Sequence, residues 1–370
     1  MNTAKSLVLL FIPVCLLLAS NLSYASHAAI MIDAANGNVL HQEDATHTWY
    51  PASLTKVMTL YMTFDALKAG EIHLSDQLTA SPHAARQPQS KLGLRQGEKI
   101  TVQEAILAVI TRSANDAAVV LSEHLGGTEE NFAIKMTAMA HNLGMYDSHF
   151  MNATGLPHPW QVTTARDMAS LALKTQQNFP NYYPYFSAHS FMFKGRELRG
   201  INKFTASYPG AEGMKTGFTC GSGYNLISTA NQNGKRLIGV ILGGMTSPER
   251  YQLMIKMMNN GFANRIDTNS DTNINSMPNN TGGTPPVQLG CGNMRATSTS
   301  SDSTNAVYIP KARPINRHHH NTHHTTMTPS LKKANTTKPI TKVKPKVVAK
   351  SKIKATKTEK PNKTRYHHPK

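Results

Sequence analysis

A hydroxyl and an amine lie three residues apart in the run 51–58, as Ser53 and Lys56. Pro51 and the apolar residues that follow at helical spacing indicate a helix start, which places positions i and i+3 on one face. Ser53 Oγ and Lys56 Nζ can therefore meet, and a lysine with a lowered pKa can take the proton that makes a serine nucleophilic. By chance Ser-x-x-Lys occurs about once in a few hundred residues, so other residues must support this interpretation.

Two further motifs follow in the chain, Ser113-Ala114-Asn115 and Lys215-Thr216-Gly217. Lys-Thr-Gly is a chance event on the order of one in several thousand positions. It lies on a predicted strand after a block of helices, which is an independent requirement that the sequence meets.

The elements that must position these residues are predicted from periodicity and turn chemistry. Strands 28–33 and 39–41, with Asn36-Gly37 between them, predict a β-hairpin ahead of the Ser53 helix, which we expect to run to about Lys68 and stop at Gly70. Residues 74–96 are expected to form loops or short strands. The remaining predicted helices are 101–110, opened by a capping box of Thr101 and Glu104, then 117–125, 128–143, 163–179 and one beginning at Pro248.

From residue 190 the pattern changes to strands at 191–193, 213–217, 224–229 and 236–242, which is typical of an antiparallel sheet. We therefore predict an α/β (α+β) fold in which about five antiparallel strands are flanked by helices. A helical lobe is inserted between the N-terminal hairpin and the C-terminal strands, and the two ends of the chain meet in one sheet.

The three motifs together resemble those of serine-type D-alanyl-D-alanine carboxypeptidases, the low-molecular-mass penicillin-binding protein family, with a β-lactamase/transpeptidase-like fold. The resemblance covers about residues 28–265 and includes the run 223–226 after Lys-Thr-Gly. It implies that Ser53 attacks the carbonyl between two terminal D-alanines and that Lys56 is the general base. It also implies that Ser113 relays a proton to the leaving amine, and that Asn115 binds the substrate amide and holds Lys56.

The same resemblance assigns the substrate-binding residues. Lys215 and Thr216 are expected to face the terminal carboxylate, and Gly217 to let the substrate backbone approach the strand. Backbone N–H groups of Ser53 and Phe218 are expected to form the oxyanion hole. In the family an arginine beyond the next strand helps with the carboxylate, and Arg250 stands at the matching distance; its alternative is a solvated residue at a helix start.

Composition divides the 370 residues into three expected regions: a signal peptide over 1–25, a catalytic domain over 26–267 and a disordered basic tail over 268–370. The apolar run from Leu7 to Ala19 is short for a membrane span, which needs roughly 20 residues, and Ser23-Tyr24-Ala25 predicts cleavage after Ala25. The alternative interpretation of this apolar run is an uncleaved membrane anchor. The tail contributes about +15 of the net charge of +18 and is too poor in apolar residues to bury a core.

Export implies an oxidising compartment, the periplasm or cell envelope, in which Cys220 and Cys291 could pair once Cys15 leaves with the signal. We expect no cofactor and no formed metal site, because the tail histidines lack spaced acids or cysteines. Many relatives carry a second, β-rich domain and an amphipathic C-terminal helix, and the sequence indicates neither. The tail could instead attach the protein to anionic wall polymers or a membrane surface, whereas nucleic acid is disfavoured by the few aromatics in the tail.

The leading hypothesis is an exported peptidase that trims the terminal D-alanine from peptidoglycan pentapeptides and is acylated by β-lactams. A β-lactamase is disfavoured because the region 145–162 contains no Glu to activate a deacylating water. D,D-endopeptidase activity on cross-links uses the same residues. From another class, a cell-wall-binding protein acting through its basic tail has no need of all three motifs.

Overall fold

The computed structural model describes residues 27–265, 272–279 and 284–286. The predicted signal peptide and most of the basic tail lie outside these residues. The strands of the described residues are β1 Ala28–Asp33, β2 Val39–Glu43, β3 Gln77–Thr79, β4 Lys99–Thr101, β5 Ser190–Phe193, β6 Arg196–Arg199, β7 Ala211–Thr219, β8 Gly223–Gln232 and β9 Lys235–Gly244. Five of them form one antiparallel sheet in the order β2-β1-β9-β8-β7.

The helices of the described chain separate the hairpin β1–β2 from the strands β7–β9, except for the last one, which follows β9. They are α1 Lys56–Ala69, α2 Pro82–Ala85, α3 Val102–Arg112, α4 Asn115–Gly126, α5 Glu129–Asn142, α6 Ala165–Asn178, α7 Lys203–Ser207 and α8 Ser247–Phe262. This order confirms the predicted fold class, in which a helical lobe is inserted between an N-terminal hairpin and C-terminal strands.

Pairing of β1 with β9 joins the two ends of the chain, with Ala28 opposite Leu242 and Asp33 opposite Leu237. Successive side chains of β1 point to opposite faces of the sheet. Ile30 and Ile32 therefore pack in the larger core, under the helical lobe, and Met31 packs in a smaller core with residues of α8. Both faces of the sheet are covered, which explains why β1 is apolar at almost every position.

Local signals of the sequence fix several helix ends. Thr101 Oγ1 accepts from the N–H of Glu104 at 3.1 Å while Glu104 Oε2 accepts from the N–H of Thr101 at 2.9 Å, which is the predicted capping box. Gly70 ends α1 with φ of +74°, a left-handed conformation that glycine adopts without steric cost. These two signals set the start of α3 and the end of α1 where the sequence analysis placed them.

Short elements differ from the prediction. The region 74–96, expected as loops or short strands, contains the helix α2, where Ser81 Oγ accepts from the N–H of Ala84. The strand β6 and the helix α7 were not predicted, because four or five residues carry too little periodicity to be recognised. None of these short elements carries a predicted site residue.

The folded part of the chain extends past the predicted domain boundary at residue 267. Residues 272–279 pack on the N-terminal hairpin, where Asn273 bridges to Asn38 and the N–H of Ile274 donates to Gly37 O at 2.9 Å. Ile274 and Met277 are buried in the larger core. Two apolar side chains in a polar stretch are too weak a sequence signal for this return of the chain.

Candidate active site

Ser53 and Lys56 lie where the chain enters the helical lobe. Residues Ala52–Thr55 form a 3-10 turn that continues directly into α1. In such a turn side chains at i and i+3 eclipse, and Ser53 Oγ lies 3.1 Å from Lys56 Nζ. Ser53 is half-buried, whereas Lys56 is completely buried. A hydroxyl accessible from outside thus faces an amine that is shielded from water.

The amine of Lys56 has two further partners, both carbonyl oxygens. Its Nζ donates to Asn115 Oδ1 at 2.7 Å and to the backbone oxygen of Thr154. An uncharged amine has two N–H groups and one lone pair. The two carbonyls satisfy both N–H groups, which leaves the lone pair for the hydroxyl of Ser53. In its uncharged form Lys56 can therefore accept the proton of the Ser53 hydroxyl.

Burial lowers the pKa of Lys56 to about 7, because the interior disfavours the ammonium form. The nearby carboxylates of Glu129 and Asp116 act in the opposite direction and raise it. Burial also holds the pKa of Lys215 well below its usual range, and the charges of Lys56 and Arg250 lower it further. The charge of Lys56 therefore acts on the pKa of Lys215.

The second motif links α3 to α4. Ser113 ends α3 with φ of +55°, and its Oγ accepts from Lys215 Nζ at 2.8 Å. Asn115 opens α4; besides accepting from Lys56 it donates from Nδ2 to Pro88 O at 2.9 Å. This bond fixes the orientation of the amide, so that its oxygen faces Lys56.

The third motif lies on β7, an edge strand of the sheet. Lys215 is buried, and its Nζ also donates to Thr216 O at 2.7 Å. A Cβ added to Gly217 would lie 3.1 Å from Ser53 N and 3.2 Å from Pro51 O. Gly217 is expected to let the substrate backbone approach; in the structure its lack of a side chain also lets β7 pack against the turn that carries Ser53.

Phe218 and Arg250 both contact the ring of Tyr224 on the neighbouring strand β8. The Phe218 ring is 40% exposed and stacks on the Tyr224 ring at a centroid distance of 4.2 Å. Arg250, at the start of α8, is buried and donates from Nη1 to the carbonyl oxygens of Gly217 at 3.1 Å and Asn225 at 3.2 Å. It is therefore not the solvated residue of the alternative interpretation; it binds the strand that carries Lys215 and Thr216.

Several residues that position the site were not assigned a role from the sequence. Asn225 donates from Nδ2 to Tyr50 O at 2.9 Å and Pro51 O at 3.1 Å, and so ties β8 to the turn before Ser53. The carboxylate of Asp116 accepts from the backbone N–H groups of residues 92–94, beside the loop that contacts Asn115. Their bonds join segments distant in sequence, so no local spacing could reveal them.

Cys220, five residues past Lys215, is disulfide-bonded rather than a free thiol. Its partner lies outside the described residues, since the other cysteines of the chain are Cys15 and Cys291. Within 27–265 and the shorter described stretches, no three His, Cys, Asp or Glu side chains are grouped closely enough to hold a metal ion. The tail histidines lie outside the described residues.

Known proteins match the same region. The profile of the D-alanyl-D-alanine carboxypeptidase family, peptidase S11, matches residues 17–246. The D-alanyl-D-alanine carboxypeptidase DacC of Escherichia coli is 36% identical over 247 residues, 65% of this chain and 62% of the relative. DacF of Bacillus subtilis is 34% identical over 249 residues, 66% of this chain and 64% of the relative. The chain thus spans less than two thirds of the length of these curated relatives.

Solved structures agree with the sequence matches. Penicillin-binding protein 5 of Haemophilus influenzae superposes with a TM-score of 0.62 at 33% identity, over 64% of this chain and 70% of that one. Penicillin-binding protein D2 of Listeria monocytogenes, in its cefotaxime-bound form, gives 0.60 at 31% identity, over 65% and 98%.

The fold and the grouping of the three motifs define the class, a protein of the penicillin-binding-protein fold. Within that class the chain belongs to the D-alanyl-D-alanine carboxypeptidase family, peptidase S11. The resemblance stated from the sequence is thereby confirmed.

Proposed function

We propose that the protein is an exported serine D,D-carboxypeptidase that removes the terminal D-alanine from peptidoglycan pentapeptides. The observation that carries the proposal is the contact of Ser53 Oγ with a buried Lys56 whose two N–H groups are already bound. Family membership supports the same reaction, because the matched relatives are named for it.

In the first step Lys56 takes the hydroxyl proton and Ser53 Oγ bonds to the carbonyl carbon between the two D-alanines. The backbone N–H groups of Ser53 and Phe218 donate to the resulting oxyanion. The C–N bond then breaks, and the proton that Lys56 took from Ser53 is relayed by Ser113 to the leaving amine of D-alanine. Water next hydrolyses the ester, which releases the shortened peptide and restores the Ser53 hydroxyl.

The terminal carboxylate of the substrate is the group that Lys215 and Thr216 bind. Lys215 donates to Ser113 already, so an arriving carboxylate at this amine also lies near the proton relay. Arg250 contributes to the carboxylate site through β7. Its guanidinium donates to the carbonyl oxygen of Gly217 and adds positive charge beside that strand. Asn115 holds Lys56 and offers its amide to the substrate peptide.

β-Lactams are proposed as inhibitors that acylate Ser53. Penicillin-binding protein D2 of Listeria has been solved in cefotaxime-bound and ampicillin-bound forms. The test incubates the full chain with a Lys- or diaminopimelate-containing pentapeptide and with nitrocefin in parallel. We expect D-alanine release with little nitrocefin turnover, and mass spectrometry after labelled penicillin to place the adduct on Ser53. The variant Ser53→Ala should lose both D-alanine release and the adduct.

Other outcomes of this test select the alternatives. Rapid nitrocefin turnover with no D-alanine release indicates a β-lactamase, and cleavage of cross-linked dimers indicates a D,D-endopeptidase of the same site. If Ser53→Ala retains function while removal of residues 287–370, which leaves the packed stretch 272–279 in place, abolishes it, the protein acts as a wall-binding factor through its tail.

Acylation should depend on pH through Lys56. Its pKa is lowered to about 7, so the amine is mostly uncharged above that pH and becomes an ammonium below it. Because only the uncharged amine accepts a proton, the rate of acylation should fall about tenfold per pH unit below the pKa. Stopped-flow or quenched acylation by penicillin across the acid and neutral range measures this limb. A flat profile over that range contradicts the role of Lys56 as base.

Export to the periplasm or cell envelope and cleavage after residue 25 are part of the proposal, and the basic tail is taken to begin after the packed stretch 272–279. The disulfide of Cys220 supports an oxidising compartment, and we propose Cys291 as its partner because Cys15 leaves with the signal. In the described part of the chain no helix is both long and apolar enough to cross a bilayer. The basic tail is proposed to bind anionic wall polymers or a membrane surface.

A further inference from the structure

Glu129, the first residue of α5, is a buried carboxylate close to the candidate active site. Its Oε1 accepts from the N–H of Ala153 at 2.9 Å, and its Oε2 is hydrogen-bonded to His83 Nε2 at 2.6 Å. The His83 side chain is 47% exposed, so the pair connects the surface to the interior. A buried charge is costly unless it is paired, and here one oxygen is committed to a backbone N–H that belongs to another segment.

That segment, residues 152–155, contacts both α1 and the turn that carries Ser53, and we call it the floor segment. Thr154 O accepts from Lys56 Nζ, and Ala153 O accepts from Thr59 Oγ1 at 2.8 Å, one turn along α1. Gly155 lies directly against the turn that carries Ser53, because a Cβ added there would lie 1.8 Å from Ala52 O. The position of this floor segment therefore sets the position of both Ser53 and Lys56.

We propose that Glu129 is a positioning residue for the acylation reaction, held by His83, which anchors the floor segment through Ala153 and places a negative charge near Lys56. The inference rests on the proposed function, since it concerns the reaction of Ser53. It assigns two separable effects to one carboxylate, a hydrogen bond to the backbone and a charge.

The second effect is the change that the charge of Glu129 makes to the pKa of Lys56, and its direction follows from the charges around Lys56. The carboxylates of Asp116 on α4 and Glu129 on α5 both raise the pKa of Lys56, and the charge of Lys56 lowers the pKa of Lys215 on β7. Around Glu129 itself lie His83 and the neighbouring Glu130, while Glu123 is bound to Ser81 Oγ at 2.8 Å. A carboxylate favours the ammonium, so Glu129 raises the pKa of Lys56, against the larger effect of burial.

The variant Glu129→Gln separates charge from hydrogen bonding. Its amide oxygen can still accept from Ala153 and its amide N–H can donate to His83, but the negative charge is gone. The rate of penicillin acylation falls at acid pH, and we call this part of the pH profile the acid limb. In Glu129→Gln we expect the acid limb to move to lower pH by about 0.5 to 1 unit. The matched control is Glu130→Gln, which removes the same charge from an exposed neighbour and should leave the limb in place.

The variant Glu129→Asp keeps the charge but is one methylene too short to reach both Ala153 and His83. We expect an unchanged acid limb and a plateau rate about tenfold lower, because the floor segment shifts. His83→Ala removes one of the two bonds that orient the carboxylate and should lower the plateau severalfold. The control His73→Ala alters an exposed histidine that pairs with Asp76 and should have no effect.

Thermal melts of the full chain show which variants fold. If Glu129→Gln is folded and its profile matches that of Glu130→Gln, the charge effect is overturned. If Glu129→Gln does not fold, Glu129→Asp and His83→Ala decide, and wild-type plateaus in both overturn the positioning role. Absence of any Ser53 adduct in the wild-type protein overturns the proposed function as well, whereas a normal adduct with unaffected variants overturns only this inference.

Discussion

Replacement of Lys56 by methionine is expected to lower the rate of Ser53 acylation by penicillin at least about 1,000-fold. Methionine fills a similar volume in the buried position but has no lone pair for the serine proton and no N–H for Asn115 and Thr154. The rate constant of adduct formation, followed by mass spectrometry or a fluorescent penicillin, measures the loss.

The matched control is Lys68→Met on the same helix. Lys68 is exposed and donates to Asn178 O at 3.3 Å, far from the site, so its removal should leave the rate within about twofold of wild type. If Lys56→Met reacts as fast as Lys68→Met, another group takes the serine proton and the proposed mechanism is wrong. A melting temperature close to that of wild type shows that the loss is chemical rather than structural.

Substitution of Gly155 by alanine is expected to disable the site although no motif residue is replaced. A Cβ there would lie 1.8 Å from Ala52 O and 2.9 Å from Ser53 N, both backbone atoms. The turn that carries the nucleophile must therefore move. We expect the free energy of unfolding to fall by at least about 3 kcal/mol and the acylation rate to fall about 100-fold or more, since a misplacement near 1 Å has that cost.

Gly144→Ala separates this clash from backbone strain. Gly144 and Gly155 both have φ of +78°, but a Cβ on Gly144 would have no neighbour within 4 Å. The control should cost only about 1 kcal/mol, the penalty of a left-handed alanine, and leave acylation unchanged. Denaturant unfolding and penicillin acylation of the two variants measure the difference. Equal effects in both would show that strain, and not the contact with Ala52, is what Gly155 avoids.

The sequence was a good guide wherever the physical cause lay within a few residues. Asn36-Gly37, the capping box at Thr101 and the terminal Gly70 each determine a local conformation, and the structure has them at those positions. The three-residue spacing of Ser53 and Lys56 likewise needs only one turn of helix to bring the two side chains together. The turn is 3-10 rather than α, and the two residues face each other in either case.

The sequence was a poor guide wherever the conformation or role of a residue depends on a segment that is distant in the chain. The return of Ile274 to the core depends on contacts with the hairpin, more than 200 residues away in the sequence, which no local pattern encodes. The reason for Gly217 is likewise remote, because the atom that a side chain would meet is Ser53 N. Asn225, Glu129 and Thr154 act on the site through bonds across the chain.

By itself, then, the sequence determined the chemical groups available to this protein, the order of its elements and the family to which it belongs, since residue types and short spacings carry that information. The tertiary structure alone decided that Lys56 is fully desolvated, that its N–H groups bind Asn115 and Thr154, and that Glu129 lies near it. Burial and long-range hydrogen bonds depend on which segments pack together, and that packing is a property of the whole fold rather than of any stretch within it.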